Sequence, residues 1–390
     1  MQYDQYQTVF ALSSLANWVS FRFGSAEQLQ KDYQKTILAT LASPVAQQTI
    51  GNWELVWGPQ VWQADGSKVS DNAMYVAKSS NLGSLAGDVY VVAIAATNPI
   101  SHYDWYMEDF GVNQVVDFSN YDPTAHTEPV PLSSPTETNT VISLGTALGV
   151  WRLLNMASPS SVKSQGDTPA SQGDTLVTFL KNVASSGATV IFAGHSLGGA
   201  LSPTVATWLK SNHWLDGSKA VYCYPTAGAT PGNAAFAELF NTTLPPTTGD
   251  GYRVWNRDVW NSYDVVPHAW DTGMLAQIST LYGNKPIPLI DEEVKKAIAN
   301  AELSKISYKQ IPNQELLGTP GAVPTTALGF MIEAKNQHTK AYASLIAPHI
   351  KPVLPPPQEL LTLEMDEDAE LYALLLRLQA KSGASALAQS

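Results

Sequence analysis

Residues 188–208 read ATVIFAGHSLGGALSPTVATW, and this stretch decides the fold. Its first six residues, 188–193, are apolar or β-branched without alternation, a pattern typical of a strand buried on both faces of a sheet. From 199 to 211 the sequence predicts a helix. Ser196 therefore lies in a Gly-rich turn between a buried strand and a helix.

Elements of the same two kinds recur on both sides of this stretch. Further strands are predicted at 53–62, 73–77, 87–96, 220–224 and 252–255. Helices are predicted at 8–21, 26–42, 141–156, 171–185 and 232–240. Strands that alternate with helices predict an α/β fold, with a mostly parallel central sheet and helices on both faces. The polar, Pro-rich stretch 117–140 is expected to be a surface loop or an inserted cap.

Composition excludes several classes of protein. The net charge of −12 and the absence of a Lys/Arg cluster argue against binding to nucleic acid. The single cysteine, Cys223, rules out an intrachain disulfide. No run of about 18 apolar residues occurs, so we expect no membrane-spanning segment. The first 23 residues lack the basic start of a standard secretory signal, so we expect a cytoplasmic protein or one exported by another route.

The turn at Ser196 has the features of a nucleophile elbow. A Gly-x-Ser-x-Gly pattern is common by chance, but here it closes a buried strand and opens a helix, as the elbow of an α/β-hydrolase requires. Gly194 and Gly198 are expected to lie where the backbone approaches too closely for a Cβ atom. The hydroxyl of Ser196 would stand at the carboxyl end of the sheet, and the N–H of Leu197 would be one oxyanion donor.

A serine nucleophile needs a general base and an orienting carboxylate, which follow it in this fold class in the order acid, then histidine. We predict Asp264, on a loop after the strand at 252–255, as the acid; Asp258 is the local alternative. We predict His338, at the start of an apolar helix, as the base. His349 is the weaker choice, and His213 follows the elbow helix too closely.

Several segments together resemble the class 3 lipase family, the fungal-type triacylglycerol lipases and their relatives. Residues 194–199 resemble its elbow, 221–233 the turn after its next strand, and 264–268 its Asp-x-Val-Pro-His acid loop. The resemblance spans about residues 70–345. It implies Ser196, Asp264 and His338 as the catalytic triad, the same residues as above.

The resemblance also extends to the segment before the predicted lid. Residues 95–99, with Asp104 and Trp105, resemble the segment that supplies the second oxyanion donor in this family. It implies Thr97 as that donor, although this chain has Ala95 and Ala96 where the family usually has Arg-Gly.

Asn98 and Pro99 can begin a helix after this segment. Such a helix would be an amphipathic lid over an acyl pocket, or an ordinary surface helix packed on the core. The candidate lid and acyl-pocket residues are Ile100, Tyr103, Trp105 and Phe110.

These inferences predict one α/β-hydrolase catalytic domain at 1–350, with N-terminal helices and a lid or insertion near 98–140. A Pro-rich connector and an amphipathic helix near 366–380 would follow at 351–390. No metal-ligand cluster, phosphate-binding loop or dinucleotide fingerprint occurs in the sequence, so no metal or organic cofactor is expected.

The expected function is hydrolysis of carboxylic esters through an acyl-enzyme on Ser196. The resemblance implies a lipase that acts on acylglycerols, at an oil or membrane interface. Four alternatives stay open: a phospholipase, a short-chain or aryl esterase, a catalytically silent binding protein on the same scaffold, and a delivered toxin that attacks membrane lipids.

Overall fold

The structure is a computed structural model that describes residues 2–96, 111–159, 171–283, 285–350 and 353–354. The strands are β1 Glu54–Trp62, β2 Asn72–Leu82, β3 Leu85–Ile94, β4 Val115–Asp117, β5 Val141–Ser143, β6 Thr189–His195, β7 Ala220–Thr226, β8 Asp258–Asn261 and β9 Asn313–Leu316. The helices are α1 Gln5–Ala16, α2 Ala26–Leu41, α3 Pro44–Ile50, α4 Leu144–Asn155, α5 Leu176–Ser185, α6 Leu197–Ser211, α7 Ala234–Thr243, α8 Thr272–Leu275, α9 Pro288–Glu302, α10 Ala327–His338 and α11 Lys340–Ile346.

The central sheet has the strand order β1-β2-β3-β6-β7-β8-β9. The first two pairs, β1 with β2 and β2 with β3, are antiparallel, and every later pair is parallel. Strand β6 lies between β3 and β7, and all of its residues are buried. The predicted α/β-hydrolase fold with a mostly parallel sheet is confirmed.

Each face of the sheet packs against its own set of helices, because successive side chains of a strand point to opposite faces. On β6, Val190 and Phe192 belong to a core shared with α4, α5, α6, α7 and α9. Ile191 and Ala193 belong to a second core shared with α1, α2, α3 and α11. The continuous apolar character of β6 therefore results from burial on both sides.

The prediction of a strand at 252–255 was wrong, because the strand that pairs with β7 is β8, which begins only at Asp258. Asn256 occupies the left-handed region with φ of 62°. Its side-chain Oδ1 accepts the N–H of Cys223, and its own N–H donates to the Cys223 carbonyl, both at 2.7 Å. Asn256 thus provides hydrogen-bond partners for both the N–H and the carbonyl of Cys223 at this edge of β7. Val254 and Trp255 are buried without joining a strand, and their apolar character caused the error.

Two predicted helices begin later than expected. At 141–156 the first three residues form β5, and α4 starts at Leu144, where Ser143 caps it by accepting the N–H of Thr146 at 3.1 Å. At 171–185 the helix α5 starts at Leu176 after the capping residue Thr175. In both cases a Ser or Thr side chain satisfies the free N–H groups of the first turn.

Residues 118–140 contain turns and bends but no strand or helix, in agreement with a loop. Thr97, the predicted lid with Ile100, Tyr103, Trp105 and Phe110, and the helix predicted near 366–380 lie outside the described residues. The domain boundary near residue 350 stays a prediction. No helix in the described ranges has the length and apolar character needed to cross a membrane.

Candidate active site

Ser196 joins the end of β6 to the start of α6 in a strained turn. Its backbone has φ of 62° and ψ of −120°, outside the regions that residues with a side chain ordinarily adopt. Its N–H donates to the carbonyl of Thr226 in β7 at 3.0 Å, which fixes the turn to the neighbouring strand. Ser196 is 1% exposed. This is the geometry of a nucleophile elbow.

Close backbone packing explains the glycines of the motif. A Cβ atom on Gly194 would lie 2.2 Å from the carbonyl oxygen of Gly198. A Cβ atom on Gly198 would lie 2.3 Å from the carbonyl oxygen of Ile94, and one on Gly199 would lie 2.4 Å from that of Thr226. All three distances are far below van der Waals contact, so β3, β6, β7 and the first turn of α6 can meet only where there is no side chain.

A chain of hydrogen bonds leads from Ser196 to a histidine and a carboxylate. His338 Nε2 lies 2.8 Å from Ser196 Oγ, and His338 Nδ1 lies 2.8 Å from Asp264 Oδ2 and 3.0 Å from Asp264 Oδ1. With Nδ1–H donating to the carboxylate, Nε2 is left to accept the serine proton. The structure thus brings together the three residues that the sequence singled out.

His338 does not begin a helix, as we expected, but is the last residue of α10. Thr339 separates α10 from α11. Asp264 follows β8 by three residues on a buried loop. The acid and the base therefore come from separate elements that meet at the carboxyl end of the sheet, beside Ser196.

Asp264 is held as a carboxylate inside the protein. Burial by itself would raise the pKa of Asp264, but His338 beside it, the N–H of Val266 at 2.9 Å and the hydroxyl of Tyr342 at 2.7 Å lower that pKa below its ordinary value. Asp264 has no solvent exposure. Tyr342 is also fully buried, and its hydroxyl accepts the N–H of Asn261 at 2.9 Å while it donates to Asp264. No motif in the sequence assigned a role to Tyr342.

His195 is a site residue that sequence reasoning missed. Its Nε2 lies 2.8 Å from the backbone carbonyl of His338, and its Nδ1 lies 3.0 Å from Thr226 Oγ1. Since a carbonyl can only accept, Nε2 carries the proton and Nδ1 accepts from the threonine hydroxyl. Burial, with the nearby His338, lowers the pKa of His195 to about 3. His195 is therefore a neutral contact that holds the backbone of His338.

The other sequence candidates, and His268 of the acid loop, lie outside this chain of hydrogen bonds. Asp258 is buried, and its Oδ1 accepts the N–H of Gly228 at 3.1 Å. His268 Nδ1 donates to the backbone carbonyl of Asp264 at 2.7 Å. His213 is exposed and pairs with Asp216, and His349 is exposed.

Leu197 is the first residue of α6, so its N–H has no carbonyl of the same helix to bind. It adjoins Ser196 at the positive end of the helix dipole, where a developing anion is favoured. In the part of the chain that the structure describes, no group of three or more His, Cys, Asp or Glu side chains could hold a metal ion.

Known proteins resemble this chain in sequence and structure. The family described as Lipase (class 3) matches residues 160–272. No curated protein sequence matches this chain. The solved structure of M37 lipase is 26% identical, and the match covers 95% of this chain and 99% of that chain with a TM-score of 0.71.

Two further lipase structures match more weakly. Native Rhizomucor miehei lipase propeptide complex is 17% identical, with 69% of this chain and 62% of that chain covered and a TM-score of 0.37. A triacylglycerol lipase from Penicillium expansum is 15% identical, with 77% and 83% covered and a TM-score of 0.36.

The fold and the hydrogen-bonded serine, histidine and aspartate define a serine hydrolase of the α/β-hydrolase class. Within that class, the match over 160–272 and the likeness to M37 lipase identify a carboxylic ester hydrolase. The match to the class 3 lipase family model over residues 160–272, with the likeness of nearly the whole chain to M37 lipase, supports a place in the class 3 lipase family.

Proposed function

We propose that this protein hydrolyses acylglycerols, with Ser196 as the nucleophile, His338 as the general base and acid, and Asp264 as the residue that orients and stabilises the imidazolium. The observation that carries the proposal is the continuous hydrogen-bonded path from Ser196 Oγ through His338 to Asp264, at 2.8 Å for each closest contact. The strained elbow supports it, because strain at a nucleophile is retained where the surrounding structure holds it.

The geometry supports a two-step reaction. Ser196 Oγ attacks the ester carbonyl carbon while its proton passes to His338 Nε2, and the tetrahedral oxyanion is stabilised by the N–H of Leu197. His338 then gives the proton to the departing alcohol oxygen as the C–O bond breaks, which leaves an acyl group on Ser196. A water molecule then attacks the acyl carbon while His338 Nε2 takes its proton. The bond from the acyl carbon to Ser196 Oγ breaks, Oγ takes the proton back from His338, and the carboxylic acid leaves. Thr97 is proposed as the second oxyanion donor.

The proposed substrate class rests on the net charge of the chain and on its likeness to a lipase of known structure. Acylglycerols are neutral, which suits a chain with a net charge of −12 that would repel anionic surfaces. M37 lipase, which resembles most of this chain, is called a lipase. We therefore expect activity on acylglycerols at an oil interface, with Ile100, Tyr103, Trp105 and Phe110 as candidate lid and acyl-pocket residues.

The test combines a chain-length series of p-nitrophenyl esters with emulsified triacylglycerol. The wild type should turn over the esters and be labelled at Ser196 by a fluorophosphonate probe. Ser196→Ala should lose about 10⁶-fold in kcat and all labelling. The matched control is Ser202→Ala, a buried serine one and a half turns further along α6, which should keep the wild-type rate.

Each of the other outcomes would assign a different function to this protein. An inert and unlabelled wild type would leave a silent binding protein on this scaffold. Turnover of short esters without activity on emulsified triacylglycerol would indicate an esterase. Release of fatty acid from phosphatidylcholine vesicles, but not from triacylglycerol, would indicate a phospholipase.

A further inference from the structure

The N-terminal segment reaches the carboxyl end of β3, next to the elbow. Asn17, which ends α1, accepts the N–H of Ala96 through its side-chain Oδ1 at 2.8 Å. Ser20, one turn further on, donates its hydroxyl proton to the carbonyl of Ala96. Both polar backbone groups of this one residue are therefore bound by side chains of a single short segment, 17–20.

The sheet cannot hold Ala96 by its own ladder. The parallel pairing of β3 with β6 ends at Ile94 opposite Gly194, and the last backbone bond to β2 is that of the Ala95 N–H to the Ala73 carbonyl at 2.9 Å. Beyond Ala95 the backbone must find other partners. Asn17 and Ser20 supply them, although they are more than 70 residues distant in sequence.

Residues 94–96 border the site directly. The first turn of α6 packs onto them so closely that a Cβ atom on Gly198 would lie 2.3 Å from the Ile94 carbonyl oxygen and 3.2 Å from that of Ala95. A movement of this strand end would therefore displace the turn that contains Ser196 and the N–H of Leu197.

The segment that holds Ala96 is itself rigidly attached. Tyr33 donates its hydroxyl to the carbonyl of Ala16 at 3.0 Å, and Tyr75 donates to that of Leu12 at 2.7 Å. Both tyrosines are fully buried, and Val19, between the two clasping residues, has no exposed surface. Asn17 and Ser20 therefore lie on a segment that is fixed to the core.

From this geometry we infer that Asn17 and Ser20 are positioning residues for ester hydrolysis, because they hold the end of β3 against the nucleophile elbow. The inference rests on the proposed function. Misplacement of a reacting group by about 1 Å can cost about 100-fold in rate, so two hydrogen bonds at this point are enough to affect catalysis.

The test compares Asn17→Ala, Ser20→Ala and the double variant with the wild type in the full chain. The matched control is Ser14→Ala, on the same helix, whose hydroxyl bonds only to the Phe10 carbonyl within α1. Measured are kcat and KM on p-nitrophenyl butyrate and the inhibition constant of an alkyl boronic acid, which forms a tetrahedral adduct with the serine. Near-UV circular dichroism gives the folded fraction, by which kcat is corrected.

The double variant should lose about 30-fold in kcat with KM changed less than about twofold, and the boronic acid constant should rise by a similar factor. Ser14→Ala should match the wild type. Asn17→Asp keeps an acceptor oxygen of the same reach and should retain most of the activity that Asn17→Ala loses. If the double variant does not fold, the two single variants provide the test, and each is expected to lose about fivefold in kcat.

Two results would overturn the inference while leaving the proposed function intact. One is an active wild type whose folded Asn17 and Ser20 variants keep kcat within twofold. The other is a loss of kcat without any change in the boronic acid constant. An inert wild type that the fluorophosphonate probe does not label would instead overturn the proposed function, and this inference with it.

Discussion

Removal of one oxygen atom, by Tyr342→Phe, should reveal how much the protein depends on the buried carboxylate of Asp264. The substitution keeps the ring, which packs edge-on against His195 with centroids 4.9 Å apart. It removes the hydrogen bond to Asp264 Oδ2 at 2.7 Å and leaves the N–H of Asn261 without the acceptor it has at 2.9 Å. Both losses occur where no solvent reaches the side chains.

The expected cost follows from these two bonds. A hydrogen bond to a charged group contributes about 1.5–3 kcal/mol to stability, and an orphaned buried donor costs about 1–3 kcal/mol. Allowing for partial relaxation, we expect Tyr342→Phe to lower the free energy of unfolding by about 3–5 kcal/mol at pH 7. That is a large part of the total of about 5–15 kcal/mol for an ordinary domain.

The difference should depend on pH in a defined direction. A carboxylate with a depressed pKa contributes stability above its ordinary pKa and loses it as the pH falls through the depressed value. Tyr342 is one of the groups that lower the pKa of Asp264. The difference in the free energy of unfolding between wild type and variant should therefore narrow as the pH falls below about 4. What remains at low pH is the cost of the orphaned Asn261 N–H.

Urea unfolding followed by tryptophan fluorescence measures both effects, since the chain has 11 tryptophans. Tyr224→Phe is the matched control: its hydroxyl is also fully buried but donates only to the neutral Tyr252 carbonyl at 2.8 Å, so a cost of about 1 kcal/mol without pH dependence is expected. The reasoning would be refuted if Tyr342→Phe cost no more than this control. It would also fail if the gap to the wild type stayed constant down to pH 3.

Three further predictions concern the elbow and the buried groups around it. Gly198→Ala should abolish ester turnover and labelling of the serine, because its Cβ would lie 2.3 Å from the Ile94 carbonyl oxygen. The control Gly24→Ala, whose Cβ would meet nothing closer than 3.7 Å, should be active. Equal activity of the two variants would refute the packing argument. Burial raises the pKa of Asp258 to about 8, so the stability that this protonated group contributes at low pH is lost as the pH rises toward 8. The free energy of unfolding of the wild type should therefore fall between pH 5 and 8, by up to about 1.4 kcal/mol per pH unit from this group. Urea titrations over this range should show that Asp258→Asn flattens the decline. Burial also raises the pKa of the Cys223 thiol, so iodoacetamide should leave the native protein unmodified and add one label in urea; fast labelling of the folded protein would contradict the buried position.

The sequence was most informative where structure is local. The elbow is a strand, a turn and a helix in one continuous stretch, so apolar runs and glycines were enough to predict it around Ser196. The sequence was less informative near 252–255, where an apolar run predicted a strand. There Asn256 replaces the ladder by bonding to Cys223, which no local pattern indicates. The edge strand β9 is mostly polar, so no apolar run indicated it and it was missed.

The amino-acid sequence alone determined the class of fold, the serine turn and, through chain order, the acid and histidine to consider. Only the tertiary structure decided which groups support them: Tyr342 on Asp264, His195 on the backbone of His338, and Asn17 with Ser20 on Ala96. These contacts join residues 78, 143 and more than 70 positions apart. Periodicity records which face of an element is buried, but a hydrogen bond between distant side chains exists only after the sheet has brought their elements to the same edge.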